Sequence, residues 1–328
     1  MGWKDYFWAS IGFVAVGVAV WVLWHELRGI SFDDFWVSIT AIKWHNWAMA
    51  LLGAVLAYAA IAGYDHMALS HIGRSFPWLF VTLCSFTTYA LSHNIGGSVV
   101  SGAVIRFRAY GSRGLTMHEV GIVVAFAFFT FILSAALVAG VIFLIAPEVI
   151  DRFVNFDSLP IKLSSSTGVL LLGLVLLYVI GSLFQMRPLE IGKLKLEYPR
   201  PGIVLRQLTI GPAEIVFAGM IFYFALPEAG NPGFIVVLGV FVVAFALATS
   251  THAPGGLGVF ELVALTGLSD MNKADVLAAL VVFRLLYFIL PLLIGLVIVI
   301  IFERRQFLSR WQRDQPPAPP VSQAPDAG

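Results

Sequence analysis

The sequence predicts an all-α polytopic membrane protein, and three observations carry that prediction. Of its 328 residues, 59% are hydrophobic and 12% are charged, against about 25% charged in soluble domains. Its mean hydropathy is +0.89. Apolar runs close to the roughly 20 residues that cross a bilayer recur along the whole chain.

These runs make about eight hydrophobic segments: 7–24, 47–69, 78–104, 120–146, 168–186, 203–226, 234–268 and 276–302. The first has no small-x-small cleavage site after it and reads as a retained helix rather than a signal peptide. The third and seventh are overlong and each contains a polar, glycine-rich break, SHNIGGS at 92–98 and THAPGGLGVFE at 251–261. Irregular backbone at membrane depth requires protein or water around it, so each break implies a cavity. The tail, taken from residue 306 to 328 and cytoplasmic, is rich in proline and is expected to be disordered.

Charge sets the topology. Of the 20 Lys and Arg, 12 lie in three clusters: Arg106, Arg108 and Arg113; Arg187, Lys193, Lys195, Arg200 and Arg206; and Arg304, Arg305, Arg310 and Arg313. All three belong on the cytoplasmic side, together with both termini. Eight full crossings would misplace one cluster. Two re-entrant hairpins, one at each break and entering from opposite sides, satisfy all three. The two breaks also match as Ser/Thr-His-x-x-Gly-Gly, 159 residues apart, a coincidence of about one in twenty at this His and Gly content. The expected plan is therefore one membrane unit, 1–305, of two inverted four-segment repeats at about 5–147 and 165–305, with a site between them.

Ionisable groups inside the spans are the first site candidates: Asp65, Arg106, Glu214, Glu261 and Arg284. Arg106 and Arg284 suit a phosphate, and the carboxylates suit an amine. Equally, Glu261 and Arg284 could simply neutralise each other. His93 and His252 could relay protons, bind phosphate, or hydrogen-bond backbone opened by the breaks. Asn94, Gly96, Gly97, Pro254, Gly255 and Gly256 complete the candidates, with half-helix N-termini after Gly97 and Gly256 positioned for an anion. One cysteine, Cys84, excludes a disulfide framework, and no metal site, ATP-binding loop or hydrolase signature is present. No cofactor, catalytic residue or nucleic-acid partner is expected; a homo-oligomer stays open.

The stretch 92–116, SHNIGGSVVSGAVIRFRAYGSRGLT, and THAPGGLGVFE together resemble the membrane domain of the lysylphosphatidylglycerol synthase/flippase (multiple peptide resistance factor) family. The resemblance covers most of 5–305. It implies a bacterial inner-membrane flippase that moves an aminoacylated phospholipid such as lysylphosphatidylglycerol between leaflets and lowers sensitivity to cationic peptides. It places Arg106, Glu261 and Asp65 among the family's characteristic charged residues, with Glu214 and Arg284 less directly matched. The chain ends in its proline-rich tail where synthesising members carry an aminoacyltransferase domain, so it resembles the flippase half alone. A separate lipid-aminoacylating enzyme is then an expected partner. Other lipids, hopanoid-type or polyprenyl-linked, remain alternatives, as do a scaffold role in lipid synthesis and a lipid-modifying enzyme using His93 or His252 as base.

Overall fold

A computed structural model describes residues 32–95, 98–153, 163–186, 189–191, 194–196, 198–251 and 254–313. The first hydrophobic segment, the candidates Gly96, Gly97 and His252, and the chain beyond Arg313 lie outside the described residues.

Twelve described α-helices are joined by short connections. They are α1 (Phe32–Ala41), α2 (Trp44–His71), α3 (Trp78–Ile95), α4 (Ser98–Gly111), α5 (Met117–Ile145) and α6 (Glu148–Asp151). After these come α7 (Leu163–Leu183), α8 (Pro201–Ala225), α9 (Phe234–Ser250), α10 (Val259–Gly267), α11 (Lys273–Arg284) and α12 (Leu290–Arg313). A π-helical turn, Leu285–Ile289, joins α11 to α12. A two-stranded antiparallel hairpin, β1 (Leu189–Ile191) with β2 (Leu194–Leu196), precedes α8.

Among the described residues, five helices are long and apolar enough to cross a membrane: Trp44–His71, Met117–Ile145, Ser165–Leu183, Pro201–Ala225 and Lys273–Phe302. The protein is thus a multi-pass helical membrane protein. The overlong third and seventh segments are each two shorter helices, α3 with α4 and α9 with α10, and the two members of each pair pack together. The longest of these arms, α3, has 18 residues, about 27 Å at 1.5 Å per residue, against a hydrocarbon core of about 30 Å. Helix α12 runs on to Arg313, past the expected unit boundary at residue 305.

Local sequence explains where helices begin. Thr116 and Glu119 cap α5 reciprocally: the Thr116 hydroxyl accepts the Glu119 N–H at 3.2 Å and the Glu119 carboxylate accepts the Thr116 N–H at 2.8 Å. Proline opens α8 at its first position, and the Asn272 side chain accepts the Ala274 N–H at 2.9 Å to start α11.

The core is the crossing of α2 and α8. With little hydrophobic drive between helices in lipid, close backbone approach supplies the contact energy. Gly53 permits it, since a Cβ there would lie 2.9 Å from the Phe217 carbonyl oxygen. Helices α5, α9, α11 and the π turn surround this crossing, while α7 presents Val169, Leu170, Leu174 and Leu177 outward. Such a face suits lipid. Burial inside the crossing isolates a small set of polar side chains, among them Asp65, Arg106, Gln207 and Glu214.

Candidate functional site

Both breaks reach the walls of one cavity of about 110 Å³. The end of α3 contributes Ser92 and His93, and α4 contributes Val99 and Arg106. Opposite them stand Ala248 and Thr249 of α9 with Gly255 and Gly256 of the second break. Tyr64 of α2, Tyr89 of α3 and Glu214 of α8 line it further, and the remaining wall is largely aromatic: Phe128, Phe131, Phe245, Phe260 and Phe288. Val99 and Phe128, 38% and 43% exposed, form a rim on the outer surface of the bundle.

The first break is anchored by Arg106. Its guanidinium grips Asp65 through Nε at 3.1 Å to each carboxylate oxygen and Nη2 at 2.7 Å to Oδ1. The side chains are 5% and 0% exposed. Tyr110 donates to Asp65 Oδ2 at 2.8 Å, and the guanidinium lies 5.0 Å from the Tyr89 ring centroid. A two-toothed, fully hydrogen-bonded pair is the form in which buried charge is tolerated. Asp65 sits behind Arg106, away from the cavity wall. This pair links α2 to α4, an association the spacing of 41 residues did not suggest.

The second break is a helical turn at Pro254–Gly256 in which Gly255 and Gly256 have φ of 59° and 62°, followed by Gly258 at 83° at the start of α10. Glycine alone takes these values without strain. Glu261 and Arg284 form the ion pair that neutralises both, with Arg284 Nε donating to Oε1 at 2.6 Å. Arg284 Nη1 also donates to the Gly255 carbonyl at 3.0 Å, and Glu261 Oε2 accepts the Gly258 N–H at 2.8 Å. Glu261 and Arg284 are not cavity walls; they hold the loop from behind. The expectation of an anion site at this half-helix N-terminus is therefore corrected. A carboxylate of the protein already occupies it.

Asn94 also supports structure, donating to the Ala90 carbonyl at 2.8 Å and to the Phe288 carbonyl at 3.1 Å. Tyr58 donates to the neighbouring Tyr287 carbonyl at 2.9 Å. Both bonds serve the π turn, whose altered ladder needs outside partners in an apolar setting. His93 stacks on Tyr287 at 5.7 Å and meets Tyr89 edge-on at 5.5 Å. Its Nδ1 is buried and has no hydrogen-bond partner among the described residues.

Glu214 differs from every other buried charge. It is 3% exposed, and among the described residues no cation lies within ion-pair reach of it. Its partners are hydroxyls: Tyr287 donates to Oε1 at 2.5 Å and Tyr64 to Oε2 at 3.5 Å. Pro212, two residues earlier, removes a backbone donor from α8. The tyrosines that build this site escaped the sequence reading. The available signal was depth: Tyr89 and Tyr287 lie mid-segment, far from the interfacial belt where tyrosine is common, and a buried phenol needs a polar partner.

Comparison with known proteins fits this architecture. Residues 9–295 match the family described as lysylphosphatidylglycerol synthase TM region. The chain is 27% identical to uncharacterized protein slr0712 of Synechocystis over 285 residues, 87% of this chain and 88% of that protein. It is 28% identical to inner membrane protein YbhN of Escherichia coli over 283 residues, 84% of this chain and 86% of that one. The phosphatidylglycerol lysyltransferase of Staphylococcus haemolyticus matches at 24% over 294 residues, 88% of this chain but 33% of its own length. A family match over this much of its length makes the chain a member of the lysylphosphatidylglycerol synthase transmembrane-region family.

Proposed function

We propose that the protein is a lipid flippase of the bacterial inner membrane, passing a phospholipid head group through the cavity between the two breaks. The cavity carries the reading: Ser92 and His93 of the first break and Gly255 and Gly256 of the second line it, and its rim at Val99 and Phe128 lies on the outer surface of the bundle. Its volume of about 110 Å³ is below the few hundred Å³ of drug-sized pockets. Only part of a head group enters, and the acyl chains stay in lipid.

The two breaks act as re-entrant hairpins of inverted repeats, entering from opposite sides and closing the cavity in turn. The short arms and the placement of the basic clusters support this. No residue acts as a catalyst in this scheme, and an aminoacylating enzyme elsewhere supplies the lipid. The family match and the lysyltransferase relatives favour an aminoacylated lipid such as lysylphosphatidylglycerol as cargo.

Reconstitution tests the reading. The purified chain in vesicles should exchange fluorescent lysylphosphatidylglycerol between leaflets faster than protein-free vesicles, and Thr249→Trp, which fills the cavity, should slow it. No exchange with any of several head groups would sink the flippase reading; exchange unaffected by Thr249→Trp would move the site elsewhere. For topology, single cysteines at Ser112 and Gly202 in a Cys84→Ser background should label from the cytoplasm and one at Ala229 from outside. Labelling of Ser112 from outside would make the first hairpin a full crossing.

A further inference from the structure

We propose that Glu214 is a proton-exchange site, so that lipid movement is coupled to proton movement in the opposite direction; this deepens, and rests on, the flippase reading above. The argument begins with charge. Among the described residues the other carboxylates and guanidinium groups that help build the site are matched: Arg106 by Asp65, and Arg284 by Glu261. Among the described residues, only Glu214 faces the cavity with a carboxylate and no cation.

An ionised carboxylate in an apolar, largely aromatic enclosure is strongly disfavoured unless something positive neutralises it. Two species can do so here. One is a proton. The other is an ammonium from the cargo head group, which the cavity would receive against the faces of Tyr64, Tyr89 and the phenylalanines, a setting that suits organic cations. Arg106 cannot serve, because its guanidinium is committed to Asp65 with two-toothed geometry. The anion-binding role first suggested for Arg106 is reduced for the same reason.

The groups facing Glu214 leave this exchange to it alone. Helix α2 brings Tyr58 and Tyr64, α3 brings Tyr89, and the π turn brings Tyr287, all within electrostatic reach. His93 and the neutralised Arg106 share the cavity from α3 and α4. Helix α5 faces it with Val124, Ala127 and phenylalanines, α9 with Phe245, Ala248 and Thr249, and α10 with Phe260. From α7, Tyr178 is held on Gln207 at 2.8 Å, two helical turns before Glu214 on α8. His93 lines the same cavity, and its Nδ1 is buried with no hydrogen-bond partner among the described residues; in this scheme it passes the proton between Glu214 and whichever aqueous side the cavity faces.

The step balances simply. With the cavity open to one side, Glu214 releases its proton through His93 to that side as the ammonium of the head group binds the carboxylate. On the other side the ammonium leaves and a proton from that side takes its place. Uncoupled net transport of either species would require an empty, ionised Glu214 to reorient, which is the state the enclosure disfavours.

The test uses the full chain in vesicles of phosphatidylcholine and phosphatidylglycerol with a trace of fluorescent lysylphosphatidylglycerol, with and without a pH gradient. One-for-one exchange holds the labelled lipid at about tenfold leaflet asymmetry for each unit of pH gradient. Glu214→Gln should abolish the asymmetry. Exchange that is fast yet leaves the leaflets equal under the gradient, or asymmetry that persists in Glu214→Gln, would overturn the coupling and leave the flippase reading standing. Absence of any exchange counts against the flippase reading instead, and an independent readout then decides on Glu214. In detergent, infrared difference spectra should show a protonated-carboxyl band, missing in Glu214→Gln, that disappears when lysylphosphatidylglycerol is added. A band untouched by that lipid, or no such band, would overturn the exchange site. Glu214→Asp, which keeps the carboxyl, should restore part of the band and of the asymmetry.

Discussion

The two breaks solve the same problem with different parts. Each leaves a helical arm that has to be fixed against the bundle, and each fixes it with one Arg–carboxylate pair on the second arm. At the first break the arm carries the cation, Arg106, and reaches across to Asp65 on α2. At the second the arm carries the anion, Glu261, and is held by Arg284 on α11. The first pair is sealed, 5% and 0% exposed; the second is more open, 18% and 13% exposed. The second also ties down the loop itself, through the Gly255 carbonyl and the Gly258 N–H. The first pair positions an arm, and the second gives a loop its shape.

That difference predicts an order of effects. Arg106→Ala strands Asp65 without its partner in a fully enclosed site, and losing one half of a buried pair costs about 3–5 kcal/mol. Thermal unfolding in detergent should show this as the largest loss among single replacements at the two breaks. Removing both charges, Asp65→Asn with Arg106→Gln, should recover a good part of it, since the penalty comes from the stranded charge rather than from a lost attraction. A double variant as unstable as Arg106→Ala would mean that the pair is worth more than its neutralisation.

Glu261→Gln should cost less, about 1–3 kcal/mol, because the pair is less completely enclosed and the amide oxygen can still accept the Gly258 N–H. Exchanging the charges, Glu261→Arg with Arg284→Glu, should fail to restore stability, since the new side chains cannot supply both the loop's carbonyl donor and its N–H acceptor. Full recovery would show that charge alone matters at the second break, making it equivalent to the first.

These pairs also mark how far the sequence could be read. The helical membrane class followed from composition, and the breaks in 78–104 and 234–268 followed from glycine, proline and histidine placed where lipid tolerates none of them. The pairing of Glu261 with Arg284 was visible as one of two open alternatives, because the spans hold few ionisable residues and these two are of opposite charge. The pairing of Asp65 with Arg106 was not, since only packing decides which buried charges meet. The same holds for Glu214. Its position in α8 marked it as unusual, but its lack of a partner is a property of what surrounds it, and Tyr64, Tyr89 and Tyr287 come from three different elements. Helix α1 and the hairpin of β1 and β2 had no signal strong enough to be seen beside the hydrophobic runs.

Within the second break the glycines separate backbone strain from crowding. Alanine at Gly255 keeps an unfavourable φ of 59° and meets Arg284 Nη1 at 3.2 Å, the flexible end of a side chain that can shift. Its cost should stay near the roughly 1–2 kcal/mol of left-handed backbone. Alanine at Gly256 has a similar φ, 62°, but its Cβ would sit 2.6 Å from that of Ala248, which is fixed to helix α9. Strain and overlap then add, with the overlap contributing about 1–3 kcal/mol more. Because Ala248 and Gly256 both line the cavity, Gly256→Ala should also slow lipid exchange more than Gly255→Ala does. Pairing it with Ala248→Gly relieves the crowding and leaves the strain. The double variant should therefore fall back to the stability of Gly255→Ala, and a double variant no better than Gly256→Ala would assign the whole effect to the backbone.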